Sequence, residues 1–133
     1  MDTPILLPDR APTLRVVPMP SDANAAGDIF GGWIMSQVDM AGSVVATRRA
    51  QGRVVTVAVN AFLFKKPVYI GDVVSFYGEV IKVGHTSLTV EVMVFAERGL
   101  LSHDVGAILM VTEATLTYVA MDADGAKRPV PSL

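Results

Sequence analysis

Apolar residues recur along this chain in two rhythms, and the changes between them divide it into elements. From Trp33 to Ala50, Ile34, Val38, Ala41 and Val45 return at steps of three and four with no proline between them, which predicts one long α-helix with a core-facing stripe. Gln51–Gly52 ends that helix, and Arg48 and Arg49 in its last turn complement the negative end of the helix dipole. Elsewhere the pattern is that of strands. Thr13–Val17 is a short β-branched segment halted by Pro18 and Pro20, and Ser21–Gly32 is a loop of small, turn-forming residues. Arg53–Phe64 is rich in Val, Phe and Thr, and Asp72–Val83 follows a turn through Pro67 and Gly71. In Thr86–Phe95, Ser87, Thr89 and Glu91 alternate with Leu88, Val90 and Val92, and after a polar loop over Glu97–Asp104 a last long strand runs from Val105 to Ala120.

One helix followed by four consecutive strands predicts an α+β domain in which a single antiparallel sheet wraps the helix. The small helix positions Ala41, Gly42 and Ala46 suit close approach to that sheet. Residues 12–122 form the domain, and residues 1–11 and 123–133, rich in Pro, Asp and Ala, are expected to be tails of partial order.

Composition sharpens this picture at three points. The chain has 133 residues, which suits one core, yet 51% of them are apolar and the mean hydropathy is +0.46. No apolar run approaches the roughly 20 residues of a bilayer span. Met1–Arg10, with Asp2, Pro4, Pro8 and Asp9, lacks the pattern of an export signal, so a cytoplasmic location is expected and no membrane partner. The apolar surplus is therefore expected to be buried between subunits of a homo-oligomer. The absence of cysteine excludes disulfides, thiolate metal sites and a Cys nucleophile. A net charge of −2, from 11 basic and 13 acidic residues spread along the chain, gives no tract for nucleic acid. The basic pairs Arg48–Arg49, Lys65–Lys66 and Lys127–Arg128 read as solvated surface, with the alternative that one steers a phosphorylated ligand.

Candidate chemistry is sparse. Asp39 is an acid in the middle of the helix, at the border of its apolar stripe, four residues from Met35 and Ser43 and three from Gly42. It is either an exposed helical carboxylate or a partly desolvated one acting as general base or nucleophile, and periodicity does not choose. Gly31–Gly32 opens the helix: the pair either permits a tight loop-to-helix turn or presents bare N–H groups to a developing oxyanion, and the two roles are compatible. Asp28 reads as an N-cap or turn residue, and Asn24 as a turn residue or an amide that positions water or a thioester oxygen. His85 and His103 sit in a turn and a loop with no nucleophile beside them, so neither a Ser–His–Asp triad nor a zinc site is expected, and Gly27–Gly32 has neither phosphate-loop nor dinucleotide spacing.

The segment from Ser21 through Asn24, Gly27–Asp28, Gly31–Gly32 and Trp33 to Asp39 closely resembles the loop and helix start of YciA-like acyl-CoA thioesterases in the hot-dog superfamily. The likeness continues through Gly52–Val57, Lys66–Val68, Gly71–Val74, Val111–Ala114 and Tyr118–Ala120, and so covers about residues 12–122. The resemblance implies a hot-dog fold, a dimer whose two sheets run on as one, and further assembly as trimers of dimers with active sites at subunit interfaces. It implies an acyl-CoA substrate, hydrolysed to a free fatty acid and coenzyme A, with no cofactor beyond the CoA of substrate and product. Carried onto this chain, Asp39 becomes the carboxylate that activates water or attacks the thioester. The Gly31 and Gly32 amides become the oxyanion hole, with Gly32 catalytic and Gly31 against the substrate, and Asn24 lies near the thioester. Phe64 and the turn residues Thr86 and Ser87 are implied to contact substrate, with His85 where relatives place a cation for the CoA phosphates. Two departures are Ala26, where the family often has a second asparagine, and Leu63, where it often has a polar residue. Val38, Phe62, Phe64 and Met93 either line an acyl tunnel or fill the core, the second being the commoner role for such residues. Two other functions fit the fold: an acyl-thioester hydratase, disfavoured because no histidine lies in the helix or its entry loop, and a non-catalytic acyl-CoA binding module, which has no use for a desolvated Asp39.

Overall fold

The computed structural model describes residues 5–133; residues 1–4, the start of the N-terminal tail, lie outside it. The elements follow in the order β1 (Leu14–Val16), a single 3₁₀ turn (Pro20–Asp22), α1 (Gly31–Ala50), β2 (Val54–Phe64), β3 (Val73–Val83), β4 (Ser87–Glu97) and β5 (Ile108–Ala120). The five strands form one sheet in the order β1-β3-β4-β5-β2, every pair antiparallel. The α+β expectation of one sheet around one helix holds.

The pleat explains how the sheet takes the helix. In β4 the side chains of Leu88, Val90, Val92 and Val94 are fully buried while Ser87, Thr89, Glu91 and Met93 between them are half-buried. Ala114, Leu116, Tyr118 and Ala120 do the same on β5. The helix answers with Ile34, Val38, Ala41, Ala46 and Ala50, all buried. Each fully buried Val or Leu contributes roughly 1.5–3 kcal/mol, so this layer holds the domain together. Close approach depends on glycine: a Cβ at Gly78 on β3 would stand 2.7 Å from Val45 of the helix.

The helix starts at Gly31, two residues before the apolar rhythm begins, because the two glycines belong to its first turn. Its N-cap is Phe30, without a side-chain cap, so Asp28 has the turn role and bridges Tyr69 instead. Gln51 ends the helix at φ 55°, a left-handed conformation that costs a non-glycine residue about 1 kcal/mol. The last strand begins at Ile108 rather than Val105, since Gly106 sits at φ 81° in the preceding turn. The C-terminal segment is better ordered than a tail. Asp122 caps a turn by accepting bonds from the Asp124 and Ala126 amides, and Met121 bridges Lys127. Val130 N–H then donates to the His85 carbonyl and Arg49 to that of Pro131.

Two features set up the site. The first is β2, an edge strand paired only with β5. Its register slips twice, leaving Val57 and Asn60 as extra residues, and it exposes Val57, Val59, Leu63 and Phe64. The second is a buried ion pair behind the β2–β3 loop. Arg98 donates to Asp72 at 2.6 Å and to the Pro67 carbonyl at 3.0 Å, and lies over the Tyr69 ring. Asp72 also accepts bonds from the Tyr69 and Gly99 amides. This pair fixes the loop over residues 65–72 from behind.

Candidate active site

The chemistry-bearing residues divide into two groups at different heights along the helix. The first surrounds Asp39, half-buried on the side of α1 that faces β2 and β5. The Thr56 hydroxyl donates to Asp39 Oδ1 at 2.7 Å, and the Tyr118 hydroxyl donates to the same oxygen at 3.0 Å and to the Asp39 carbonyl at 2.9 Å. Thr56 and Tyr118 are directly opposed across β2 and β5, so sheet register delivers both donors to one point. Oδ2 takes no protein hydrogen bond among the described residues. One oxygen is anchored and the other is free of protein donors among the described residues. Burial first, then the Asp39 charge and the hydrogen bond to it, pushes the Tyr118 hydroxyl well above the ordinary tyrosine range, so it remains a donor.

The second group surrounds the start of the helix. Asn24, Ile29, Gly31, Phe64, Lys66 and Val68 are among the residues lining a groove of about 360 Å³. Asn24 Oδ1 accepts bonds from the Ala26 and Asp28 amides, which ties the loop into a turn; its NH₂ group has no protein partner among the described residues. Ile29 N–H donates to the Val68 carbonyl and joins the entry loop to the β2–β3 loop. A Cβ on Gly31 would stand 3.2 Å from the Phe64 ring. Around Gly32, by contrast, a Cβ would meet nothing within 4 Å. Gly32, the second residue of the helix, is exposed, and packing within this chain gives no reason for glycine there.

Asn24, Gly31 and Phe64 thus gather in one groove with Gly32 beside them, and Asp39 stands apart. Seven residues of helix separate Gly32 from Asp39, an axial distance of about 10 Å. Thr86 and Ser87 lie elsewhere again. Ser87 is opposite Val119 and Phe64 opposite Thr112 on β5, about 23 Å apart along that strand. Within one chain they belong to the Asp39 end, next to Tyr118, and not to the groove. Val38 is core. Sequence reasoning did not single out Thr56 or Tyr118. The available signal was Gly42, one turn after Asp39, whose missing side chain leaves room for the Tyr118 hydroxyl.

Comparison with known proteins decides the family: the model of the thioesterase superfamily matches residues 26–103, which include the second half of the entry loop, the helix and β2 to β4. The chain belongs to the thioesterase superfamily. An uncharacterized acyl-CoA thioester hydrolase of Haemophilus influenzae is 50% identical over 118 residues, 89% of this chain and 76% of the relative. The acyl-CoA thioester hydrolase YciA of Salmonella typhimurium is 47% identical over 118 residues, 89% of this chain and 88% of its own. The crystal structure of HI0827, a hexameric broad specificity acyl-coenzyme A thioesterase, matches with a TM-score of 0.86 at 46% identity, over 96% of this chain and 85% of that one. In this thioesterase-superfamily chain the five-stranded sheet around one helix is the hot-dog fold that the resemblance implies. No helix among the described residues is long and apolar enough to cross a membrane.

Proposed function

We propose that this protein hydrolyses acyl-CoA thioesters in a site completed by two copies of the chain. The observation that carries this reading is the separation of the two halves. Gly32 and Asp39 lie about 10 Å apart along the axis of one helix, whereas a base and an oxyanion donor both have to come within about 3 Å of one reacting centre. Another copy supplies the missing half. Antiparallel pairing of two β2 edges centred on Val59 sets Thr56, the partner of Asp39, opposite Phe62 of the second copy. That brings its Phe64 end, with Gly31 and Gly32, towards the first copy's carboxylate. The exposed apolar side chains of β2 are covered by the same pairing, and the hexameric state of HI0827 fits it.

In this site the thioester carbonyl lies against the Gly31–Gly32 amides of one copy, and Asp39 of the other takes a proton from water through its free Oδ2. The hydroxide adds to the carbonyl carbon, and the helix N-terminus stabilises the oxyanion. On collapse the C–S bond breaks, the CoA sulfur takes the proton back from Asp39, and the free fatty acid and CoA leave. The Asn24 amide donates to the substrate from the groove wall. Thr86 and Ser87, at the end of the sheet that carries Tyr118, contact the CoA portion. Assembly as a trimer of such dimers completes the reading.

Purified protein should release CoA from acyl-CoAs, and Asp39→Ala should lose most turnover. A complementation experiment tests the shared site. Asp39→Ala and Gly32→Val proteins, each inactive, are unfolded together and refolded. Random pairing restores about a quarter of the sites, because each mixed dimer keeps one intact half-pair. A mixture that stays inactive, while refolded wild type recovers, overturns the two-copy site. CoA release by Asp39→Ala at the parent rate overturns the role of that residue.

A further inference from the structure

A second cavity, apart from the groove at the head of the helix, is larger than that groove. It measures about 550 Å³ and lies between the N-terminal segment, the last turns of α1 and β3, with Arg10, Arg48, Arg49, Val45, Gly78 and Val80 among its lining residues. Three guanidinium groups border it and no aspartate or glutamate side chain does; the one carboxylate in the lining is the terminal one carried by Leu133. None of the three arginines is in an ion pair among the described residues.

Local structure accounts for part of this arrangement. Arg48 and Arg49 complement the carbonyl end of the helix, and Arg49 also donates to the Pro131 carbonyl at 2.6 Å. Neither role explains Arg10. It comes from a segment remote in sequence, donates to the Gly78 carbonyl at 3.2 Å and stands over the Tyr77 ring at 5.3 Å, which fixes it at the same cavity. A guanidinium has five N–H donors, and these anchoring bonds use one each on Arg10 and Arg49. Three positive groups against the single Leu133 carboxylate leave the cavity with a surplus of positive charge, which a further anion neutralises. Arginine's fork of donors matches phosphate oxygens two at a time.

We propose that the Arg10–Arg48–Arg49 cavity binds a phosphate-bearing ligand of nucleotide type. Arg48 is nine residues beyond Asp39, about 14 Å along the axis and on the opposite side of the helix, so the cavity is separate from the carboxylate of its own chain. The same chemistry has two sources: the phosphorylated nucleotide end of a CoA whose thioester lies in a site of the assembly, or a free nucleotide acting on its own. The first source rests on the thioesterase reading and the second does not.

The experiment uses the intact protein, ADP as the phosphate probe, and the variants Arg48→Gln and Arg10→Gln/Arg48→Gln, with Arg48→Lys as the charge-preserving control. ADP binding is followed by calorimetry and thermal shift, and KM is measured for an acyl-CoA and for the matching acyl-pantetheine, which has no phosphate. The cavity as a CoA subsite predicts that the double variant, having lost charged hydrogen bonds to phosphate, raises KM for acyl-CoA about tenfold or more. The acyl-pantetheine KM then stays unchanged and Arg48→Lys recovers part of the loss. The cavity as a free-nucleotide site predicts ADP binding that acyl-CoA does not displace and that the double variant abolishes. Two results overturn the proposal: equal ADP binding by wild type and double variant with unchanged acyl-CoA KM, or no ADP binding by wild type together with that unchanged KM. Hydrolysis of acyl-pantetheine monitors the thioesterase reading separately.

Discussion

The phenolic oxygen of Tyr118 occupies the space beneath Gly42 that any side chain there would fill. From that position it reaches both the carbonyl and the carboxylate of Asp39, one turn earlier on the same helix. A buried tyrosine finds its polar partner only because the helix is thinned to bare backbone at this turn.

Gly42→Ala should therefore affect stability and activity together. The added methyl overlaps the Tyr118 hydroxyl and forces the ring or the helix to shift, at a cost of about 1–3 kcal/mol. Urea unfolding should show this loss, and kcat should fall about tenfold or more as Asp39 loses its donor. Wild-type kcat with wild-type stability would contradict this geometry.

Tyr118→Phe isolates the hydroxyl. The ring still fills its core position, while Asp39 keeps only Thr56 as a side-chain donor. A stability loss of roughly 1.5–3 kcal/mol is expected at neutral pH. The pH dependence has a definite sign. Because the folded-state pKa is raised, the contribution of this group is fully present below the unfolded pKa of about 10 and is lost as pH rises through the folded value. Unfolding free energies measured from neutral to strongly alkaline pH should thus fall more for wild type than for Tyr118→Phe. A steeper alkaline decline in the variant would contradict the assignment.

The apolar edge makes a separate prediction. Val57 and Leu63 are each 55% exposed on β2, and a charge there has to be buried if two edges meet. Val57→Lys should lower the mass seen by light scattering towards 14.1 kDa and remove thioesterase activity, with the far-UV spectrum preserved. An intact assembly with full activity would place the contact elsewhere.

Behind the groove, Arg98→Met should cost about 3–5 kcal/mol, because it leaves Asp72 charged and buried without its partner. Adding Asp72→Leu should restore only part of that, since the Tyr69 and Gly99 amides then lose their acceptor. Complete recovery of the urea midpoint in the double variant would show that those two bonds contribute little.

What was legible in the sequence was what repeats. The three-and-four rhythm of Ile34, Val38 and Ala41 and the alternation in Ser87–Val92 gave the helix, the sheet and the side of each that is buried. The entry loop and Asp39 carried the family likeness. Register was not legible: Thr56 meets Tyr118 because β2 and β5 are paired with two slips, and no local pattern fixes where those fall. Arg98 was missed for a similar reason. A charged residue in a polar stretch reads as surface, and only the fold brings Asp72, 26 residues earlier, against it. The C-terminal segment read as a loose tail because its order comes from bonds to His85 and Arg49, far away in sequence.

The open edge of β2 also ties turnover to abundance. If catalysis requires two chains, specific activity becomes a function of protein concentration, and dilution below the dissociation constant of the pair silences the enzyme without any inhibitor.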